Sequence, residues 1–256
     1  MNNRLERILA HLIGRESVSV SELSRLLNVS EVTIRTDLNR LAEQGKVDRT
    51  HGGARLAEDR VRQEYTFQKR KSLNSLQKEK IGRAAARLIQ SHDAVLLDSS
   101  TTVLALARAL REDDELKDIT VVPTGIWTAI ELMGRSTINV LLPGGYLRHT
   151  TGSITGLPTS EFLNDLLIKK AFLGAWGISS SIGVTDTHLL EIELKKFIVD
   201  RVEEVIVLVD GSKFGQTGLS VYADIGKISK VITDATAPEE EVEQLRRAGI
   251  EVIVAE

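Results

Sequence analysis

From Ala94 onward, seven short apolar runs alternate with helical patterns, and no other feature restricts the fold as much. The runs are AVLL (94–97), ITVV (119–122), INVLL (138–142), KAFLGA (170–175), EVIVLV (204–209), KVIT (230–233) and EVIVA (251–255). Each is continuous rather than alternating, as strands buried on both faces are. Between them, TTVLALARAL, IWTAIELM, PTSEFLNDLL, HLLEIELKKFIVDRV and PEEEVEQLRRAG carry apolar residues at helical spacing. Strand–helix repetition of this kind predicts an α/β fold, with a mostly parallel sheet covered on both sides.

The first third of the chain is written differently. Leu5, Ile8, Leu9 and Leu12 form the inward stripe of an opening helix expected to end near Gly14. Ser19 to Gly53 then predicts two short helices and a hairpin. Leu23, Leu26 and Leu27 are apolar at helical spacing, and Ser30 suits the N-cap of the second helix, with Glu31 in its first turn. In that helix Ile34, Leu38 and Leu41 recur at i, i+4 and i+7 and pack inward. Roughly 100° per residue turns Val32, Thr36 and Asn39 outward, with Thr33, Arg35 and Arg40 on the flanks. Gly45 stops the helix, and Lys46–Arg55 with the Gly52–Gly53 pair predicts a two-stranded wing. The whole is a winged helix-turn-helix, whose second helix enters a major groove. On that reading Arg35, Arg40, Lys46 and Arg49 meet phosphates, Thr33, Thr36 and Asn39 face base edges, and Ser30 and His51 complete the candidate DNA-binding set. Three short amphipathic helices also occur as plain packing modules, so the pattern alone leaves a protein-binding head open.

The wording TIRTDLNRL followed by GKVDRTHGGA resembles the DNA-binding head of the DeoR family of bacterial transcriptional regulators. In that family a second Arg usually follows the one matching Arg35; here Thr36 takes its place.

Charge supports a division between head and body. The net charge of −3 conceals 16 Lys/Arg against 11 Asp/Glu in residues 1–80, and 17 against 25 in the remainder. A basic head on an acidic body concentrates phosphate-attracting charge in the head. The 256 residues suit one small and one medium domain, expected at 1–57 and 79–256, with the charge-dense stretch 58–78 as a linker in which Tyr65 and Phe67 are candidate anchors. The chain contains no Cys, which excludes disulfides, thiolate chemistry and Cys-based zinc. No apolar run approaches the ~20 residues of a membrane span, and MNNRLERILAHL lacks the apolar core of a signal peptide. A cytoplasmic protein, with no membrane partner, is the expectation.

In an open α/β sheet, ligands bind outside the carboxyl ends of the strands. After AVLL comes Asp98–Ser99–Ser100–Thr101–Thr102, four hydroxyls opening a helix. Such a loop can cradle phosphate with backbone N–H groups and the helix dipole, although one ordinary cap would use one of those hydroxyls. Pro123–Thr124–Gly125 follows ITVV, and Pro143–Gly144–Gly145, with Arg148 beyond, follows INVLL. Arg148 offers a planar fork to an anion. Asp210–Gly211–Ser212–Lys213 follows EVIVLV and pairs a carboxylate with a flexible cation. Taken singly, each is equally well a turn with a surface charge.

Together with AFLGAWGIS…GVTD, ELKK and DGSKFG, these landmarks resemble the C-terminal domain of the same DeoR family, so the likeness covers nearly the whole chain. Members mostly sense phosphorylated sugars, and their effector domain is similar to sugar-phosphate isomerases and aminosugar-phosphate deaminases. The resemblance implies that Asp98, Ser99, Ser100, Thr101 and Thr102 form the phosphate loop. It places Gly144, Gly145 and Arg148 at the sugar's border and Lys195, Asp210 and Lys213 on the opposite wall, with Thr124 in the same effector-binding set. Ser100 stands for a usual Gly, Gly125 for a usual Asn and Trp176 for a common Asp.

Signatures of catalysis are weak. The five His show no metal-ligand spacing, and neither a phosphate-binding G-x-x-x-x-G-K-[ST] nor a G-x-S-x-G elbow occurs. Glu191 and Glu193, two apart on a helix, point in different directions. The expectation is a non-enzymatic, cofactor-free repressor acting as a dimer or tetramer on a double-stranded operator and answering to a sugar phosphate. The alternative is an isomerase or deaminase with an accessory head.

Overall fold

The computed structural model describes residues 3–12, 17–43, 47–50, 52–56 and 66–256. The chain forms two compact units, Met1–Glu64 and Tyr65–Glu256. The expected helix ends at Gly14 and Gly45 lie outside the described residues, as do Lys46, His51, Tyr65 and the 58–65 part of the linker.

In the first unit, α1 (Asn3–Leu12) precedes β1 (Val18–Ser19), α2 (Val20–Leu27), α3 (Glu31–Glu43), β2 (Val47–Thr50) and β3 (Gly53–Leu56). Ser19 caps α2 by accepting from the Glu22 N–H at 3.1 Å, and Ser30 caps α3 by accepting from the Thr33 N–H at 3.2 Å. The left-handed Asn28 between them turns the chain. Ile8, Leu12, Leu23, Ile34, Leu38 and Leu41 are fully buried together, so the stripes of three helices share one core. Arg4 clamps α1 to α3 through Asp37 at 2.6 Å. β2 and β3 form the antiparallel wing, and β1 adds to β3 to give the order β1-β3-β2. Gly53 permits that third strand: a Cβ there would sit 2.2 Å from the Val18 carbonyl oxygen.

The second unit begins with α4 (Phe67–Ser72) and α5 (Ser75–Ala86), followed by β4 (Ala94–Leu97), α6 (Thr101–Glu112), β5 (Ile119–Pro123), α7 (Ile126–Leu132) and β6 (Ile138–Val140). A small hairpin, β7 (Tyr146–Leu147) and β8 (Ile154–Thr155), leads to α8 (Leu157–Asn164) and β9 (Lys170–Gly174). Then come β10 (Gly177–Ser179), β11 (Gly183–Asp186), α9 (Leu189–Val199), β12 (Glu204–Leu208), β13 (Ser220–Ala223), β14 (Lys230–Asp234), α10 (Glu239–Arg247) and β15 (Glu251–Ala255). From residue 66 on, the segment expected as linker is folded against the body: Phe67 is buried and stacks on Trp127 at 5.7 Å.

All seven apolar runs are strands of one parallel sheet, in the order β15-β14-β12-β9-β4-β5-β6. Val95 and Leu97 of β4 pack with α5 and α6, through Ile81, Val103 and Leu106. Leu96, between them, packs on the other face with α9 and α10, through Ile198 and Leu245. Burial on both faces explains the continuous runs. The order reverses direction at β4: β5 and β6 lie to one side, and β9 and the later strands to the other. The crevice between the ends of β4 and β9 is therefore the topological switch point, where ligands of such sheets bind. The antiparallel sheet β10-β11-β13 was not expected from the sequence.

Candidate functional site

On the head, α3 turns one face to solvent. Ile34, Leu38 and Leu41 are fully buried, whereas Ser30, Val32, Arg35, Thr36, Asn39 and Arg40 are exposed and Thr33 is half-buried. Among the described residues Arg35 is held only by an exposed pair to Glu31, four residues back, at 3.3 Å. Thr36 gives its hydroxyl to the Val32 carbonyl at 3.0 Å. On the wing, Arg49 is exposed and donates to the Gly53 carbonyl at 3.1 Å. Polar and cationic side chains thus share one free helical face beside a wing.

In the body, Asp98 ends β4 and ties the switch point together. Its carboxylate accepts from the Ser100 N–H at 2.8 Å and the Gly174 N–H at 2.7 Å. Lys195 reaches the same carboxylate at 3.1 Å, Asp186 at 2.6 Å and the Gly174 carbonyl at 2.8 Å. Burial disfavours the Lys195 charge, but Asp186 and Asp98 outweigh it and hold its pKa well above the ordinary value. Burial pushes the Tyr222 phenol upward, and its hydroxyl donates to the Gly174 carbonyl at 2.9 Å. Asp98 therefore shapes the loop rather than meeting an anion. Ser100 caps α6 at the Val103 N–H, 3.2 Å away, and Thr101 and Thr102 are buried in its first turn.

Ser99, Thr124 and Lys195 line a small pocket together with Ser153, Thr155, Glu191 and apolar residues. Glu191 accepts from Arg148 at 2.5 Å, Ser153 at 2.6 Å and Thr151 at 3.2 Å. The Arg148 fork, expected to face an effector anion, is thus buried against a carboxylate. Thr155 is fully buried and its hydroxyl has no partner among the described residues. Gly144 and Gly145 are exposed and do not line this pocket; neither do Asp210 and Lys213, at the end of β12. Asp210 accepts from Asn74 at 2.9 Å, and Lys213 lies over the Trp176 ring at 5.5 Å.

Thr155 and Glu191 line the pocket outside the expected effector set, Glu191 having been weighed only against Glu193, and Asp186 adjoins it through Lys195. Glu191 had a signal in its spacing, since Glu191 and Lys195 lie four apart on α9 and both turn inward, while Glu193 is exposed. Asp186 closes the GVTD landmark without having been singled out, and Thr155 had no signal. Among the described residues, no group of three or more His, Asp or Glu is placed to hold a metal ion.

A winged helix-turn-helix joined to an α/β body with a polar pocket at its switch point defines the class of two-part transcriptional regulators. The chain belongs to the DeoR family: residues 4–60 match the DeoR-like helix-turn-helix domain and residues 73–235 the DeoR C terminal sensor domain. It is 32% identical to the HTH-type transcriptional regulator GolR of Listeria innocua over 254 residues, which are 99% of this chain and 98% of the relative. It is 33% identical to a putative aga operon transcriptional repressor of Escherichia coli O157:H7, covering 99% and 93%. It is 34% identical to the glycerol-3-phosphate regulon repressor of Escherichia coli K12, covering 86% of each. A solved ribose-5-phosphate isomerase overlaps 54% of this chain and 52% of its own at 20% identity and a TM-score of 0.41, a partial likeness that bears on nothing further. The chain is a DNA-binding transcriptional regulator rather than an enzyme.

Proposed function

We propose that this protein is a cytoplasmic repressor of carbohydrate-metabolism genes, released from its operator by a phosphorylated sugar or related metabolite. The carrying observation is the free face of α3, polar and basic, opposite a stripe with no exposure at all. Arg35, Arg40, Lys46 and Arg49 make the phosphate contacts, Thr33, Thr36 and Asn39 face base edges, and Ser30 and His51 flank them. Residues 1–57 form the reader and 66–256 the sensor, with 58–65 as the connection. The relatives named for the aga operon and for a glycerol-3-phosphate regulon support the carbohydrate assignment. Ser99, Thr124 and Lys195, with the rest of the 98–102 loop, border the effector, and Gly144, Gly145, Arg148, Asp210 and Lys213 shape the surrounding walls. Two half-sites on an operator call for at least a dimer.

An effector changes DNA affinity only by preferring one state of the protein, with coupling of typically ~1–3 kcal/mol. The test is a fluorescence-anisotropy titration of duplex DNA from upstream of the protein's own gene, run with a panel of sugar phosphates. Release by one of them, lost on Ser99→Ala with Thr101→Ala while duplex binding persists, supports the reading. Binding that no phosphorylated sugar alters would overturn the effector assignment. The absence of any salt-dependent duplex binding would overturn the DNA assignment.

A further inference from the structure

Charge divides unevenly at the boundary between the two compact units. Met1–Glu64, the unit that carries α3, holds 11 Lys/Arg against 10 Asp/Glu. Residues 66–90, which open the second unit, hold seven against one, and residues 91–256 hold 15 against 25. The basic excess of the first 80 residues therefore belongs mainly to α4 and α5 rather than to the reader. Long-range attraction of a polyanion is centred there.

Packing sorts these cations. Arg70 Nε is sealed from solvent, and Lys78 is buried, its Nζ donating to the carbonyls of Arg70 at 2.5 Å and Leu73 at 2.6 Å. Lys80, Arg83 and Arg87 are exposed. At 100° per residue they fall within ~60° of one another on α5. The opposite face, Lys78, Ile81, Gly82 and Ala85, is buried. Gly82 fixes that orientation: a Cβ there would lie 2.5 Å from the Ala105 carbonyl carbon, so α5 rests directly on α6. Among the described residues, none of the three exposed cations makes an ion pair or a side-chain hydrogen bond. Like charges three and four residues apart destabilise a helix, so the stripe costs stability until an anion lies along it. From Lys80 to Arg87 it runs ~10 Å, the axial length of three successive phosphates on one DNA strand at ~3.4 Å each.

We propose that Lys80, Arg83 and Arg87 form a second DNA contact, carried by the sensor unit, which grips the phosphate backbone of the duplex beside the half-site that α3 reads. Residues 58–65 can span at most ~28 Å. A connection that short gives the stripe an effective concentration in the ~millimolar range toward DNA already held by the head. Such contacts carry no sequence information; they add affinity and fix register. The assignment rests on the head binding duplex DNA.

The test is a fluorescence-anisotropy titration of the full chain on duplex DNA from upstream of its own gene, repeated across a salt series. The stripe variant carries Lys80→Gln, Arg83→Gln and Arg87→Gln. A control carries Lys117→Gln, Lys169→Gln and Arg247→Gln, which removes the same charge from exposed positions elsewhere. The stripe variant is expected to lose at least tenfold in affinity, and its slope of log K against log salt to fall by at least ~2, since each phosphate contact carries ~0.9. Its Tm is expected to match or exceed that of wild type, because the repulsion along α5 is gone. The control, and a charge-keeping Arg83→Lys with Arg87→Lys, are expected to keep the wild-type slope. Unchanged affinity and slope in the stripe variant overturn the proposal and leave the stripe to solvent or to an acidic protein segment anchored on the exposed Leu76. Equal losses in stripe variant and control overturn it in favour of net charge alone. If Arg35→Ala weakens binding and the stripe variant does not, the head's reading stands and the stripe falls. If the stripe variant loses slope while Arg35→Ala changes nothing, the stripe stands and α3 falls as the reader.

Discussion

Arg148, in the β7–β8 hairpin, donates from Nη1 to Glu191 Oε1 on α9, with both side chains more than nine-tenths buried. Removing one partner of such a pair leaves the other charge uncompensated, which typically costs ~3–5 kcal/mol. Arg148→Met is therefore expected to destabilise the protein by about that amount in urea denaturation. Arg148→Met with Glu191→Leu is expected to recover most of the loss, because no unpaired charge remains. A single variant within ~1 kcal/mol of wild type, the level of a solvent-exposed pair, would show that the pair is solvated in solution.

Lys78 gives a pH dependence with a definite sign. Burial lowers its pKa to about 8; Asp210 holds it up, and Lys213 and Arg70 press it further down. Between that value and the unfolded value of ~10.4, the unfolded chain holds a proton that the folded chain has shed, so stability rises with pH. Below about 8 both states are charged and the cost of burying the ammonium is present in full. Lys213, also lowered, adds in the same direction. Tyr222, raised by burial, acts oppositely above its ordinary value, so the clean window closes near pH ~10. Denaturation midpoints are expected to climb from pH ~8 to ~9.5 more steeply in wild type than in Lys78→Met. Parallel slopes would place that proton elsewhere.

The sheet was legible because burial on both faces writes the same signal into every strand, and all seven apolar runs are strands. The antiparallel sheet of β10, β11 and β13 was not: Gly177–Ser179 is three residues long and Gly183–Asp186 ends in two polar residues. Such segments have neither the length nor the alternation that marks a strand. The candidate site was legible where residues follow strand ends, as Asp98 and Thr124 do. It was not legible where chemistry depends on pairing. Arg148 read as an open fork because its partner, Glu191, lies 43 positions away. Arg70 read as one charge in a charged stretch because only tertiary packing seals its Nε.

Arg35 separates DNA contact from fold. Its pair with Glu31 is exposed at both ends, and such i,i+4 pairs contribute only ~0.3–0.5 kcal/mol. Arg35→Ala is expected to leave Tm nearly unchanged while weakening operator binding. If the guanidinium meets a phosphate, the slope of log K against log salt falls by ~1 and binding weakens similarly across sequences. Unchanged affinity and an unchanged slope together would remove α3 as the reading helix.

Two departures from the family pattern at the switch point carry opposite costs. Ser100, where Gly is usual, caps α6 through its hydroxyl, and glycine is itself a tolerated N-cap that costs only a few tenths of a kcal/mol. Ser100→Gly is therefore expected to be nearly neutral, and Ser100→Ala to cost ~0.5–2 kcal/mol. Gly125, where Asn is usual, is different: a Cβ there would lie 2.8 Å from Ser99 Cα and 2.9 Å from Ser99 Cβ. The obstacle is backbone, so the loop after β4 must shift to admit a side chain, at the ~1–3 kcal/mol typical of overpacking. Ser99 lines the pocket, so Gly125→Asn is expected to weaken both stability and effector response. Ser100→Gly should change neither. Urea denaturation together with effector-induced release of the operator checks the pair, and a well-tolerated Gly125→Asn would mean that the two loops already have room to part.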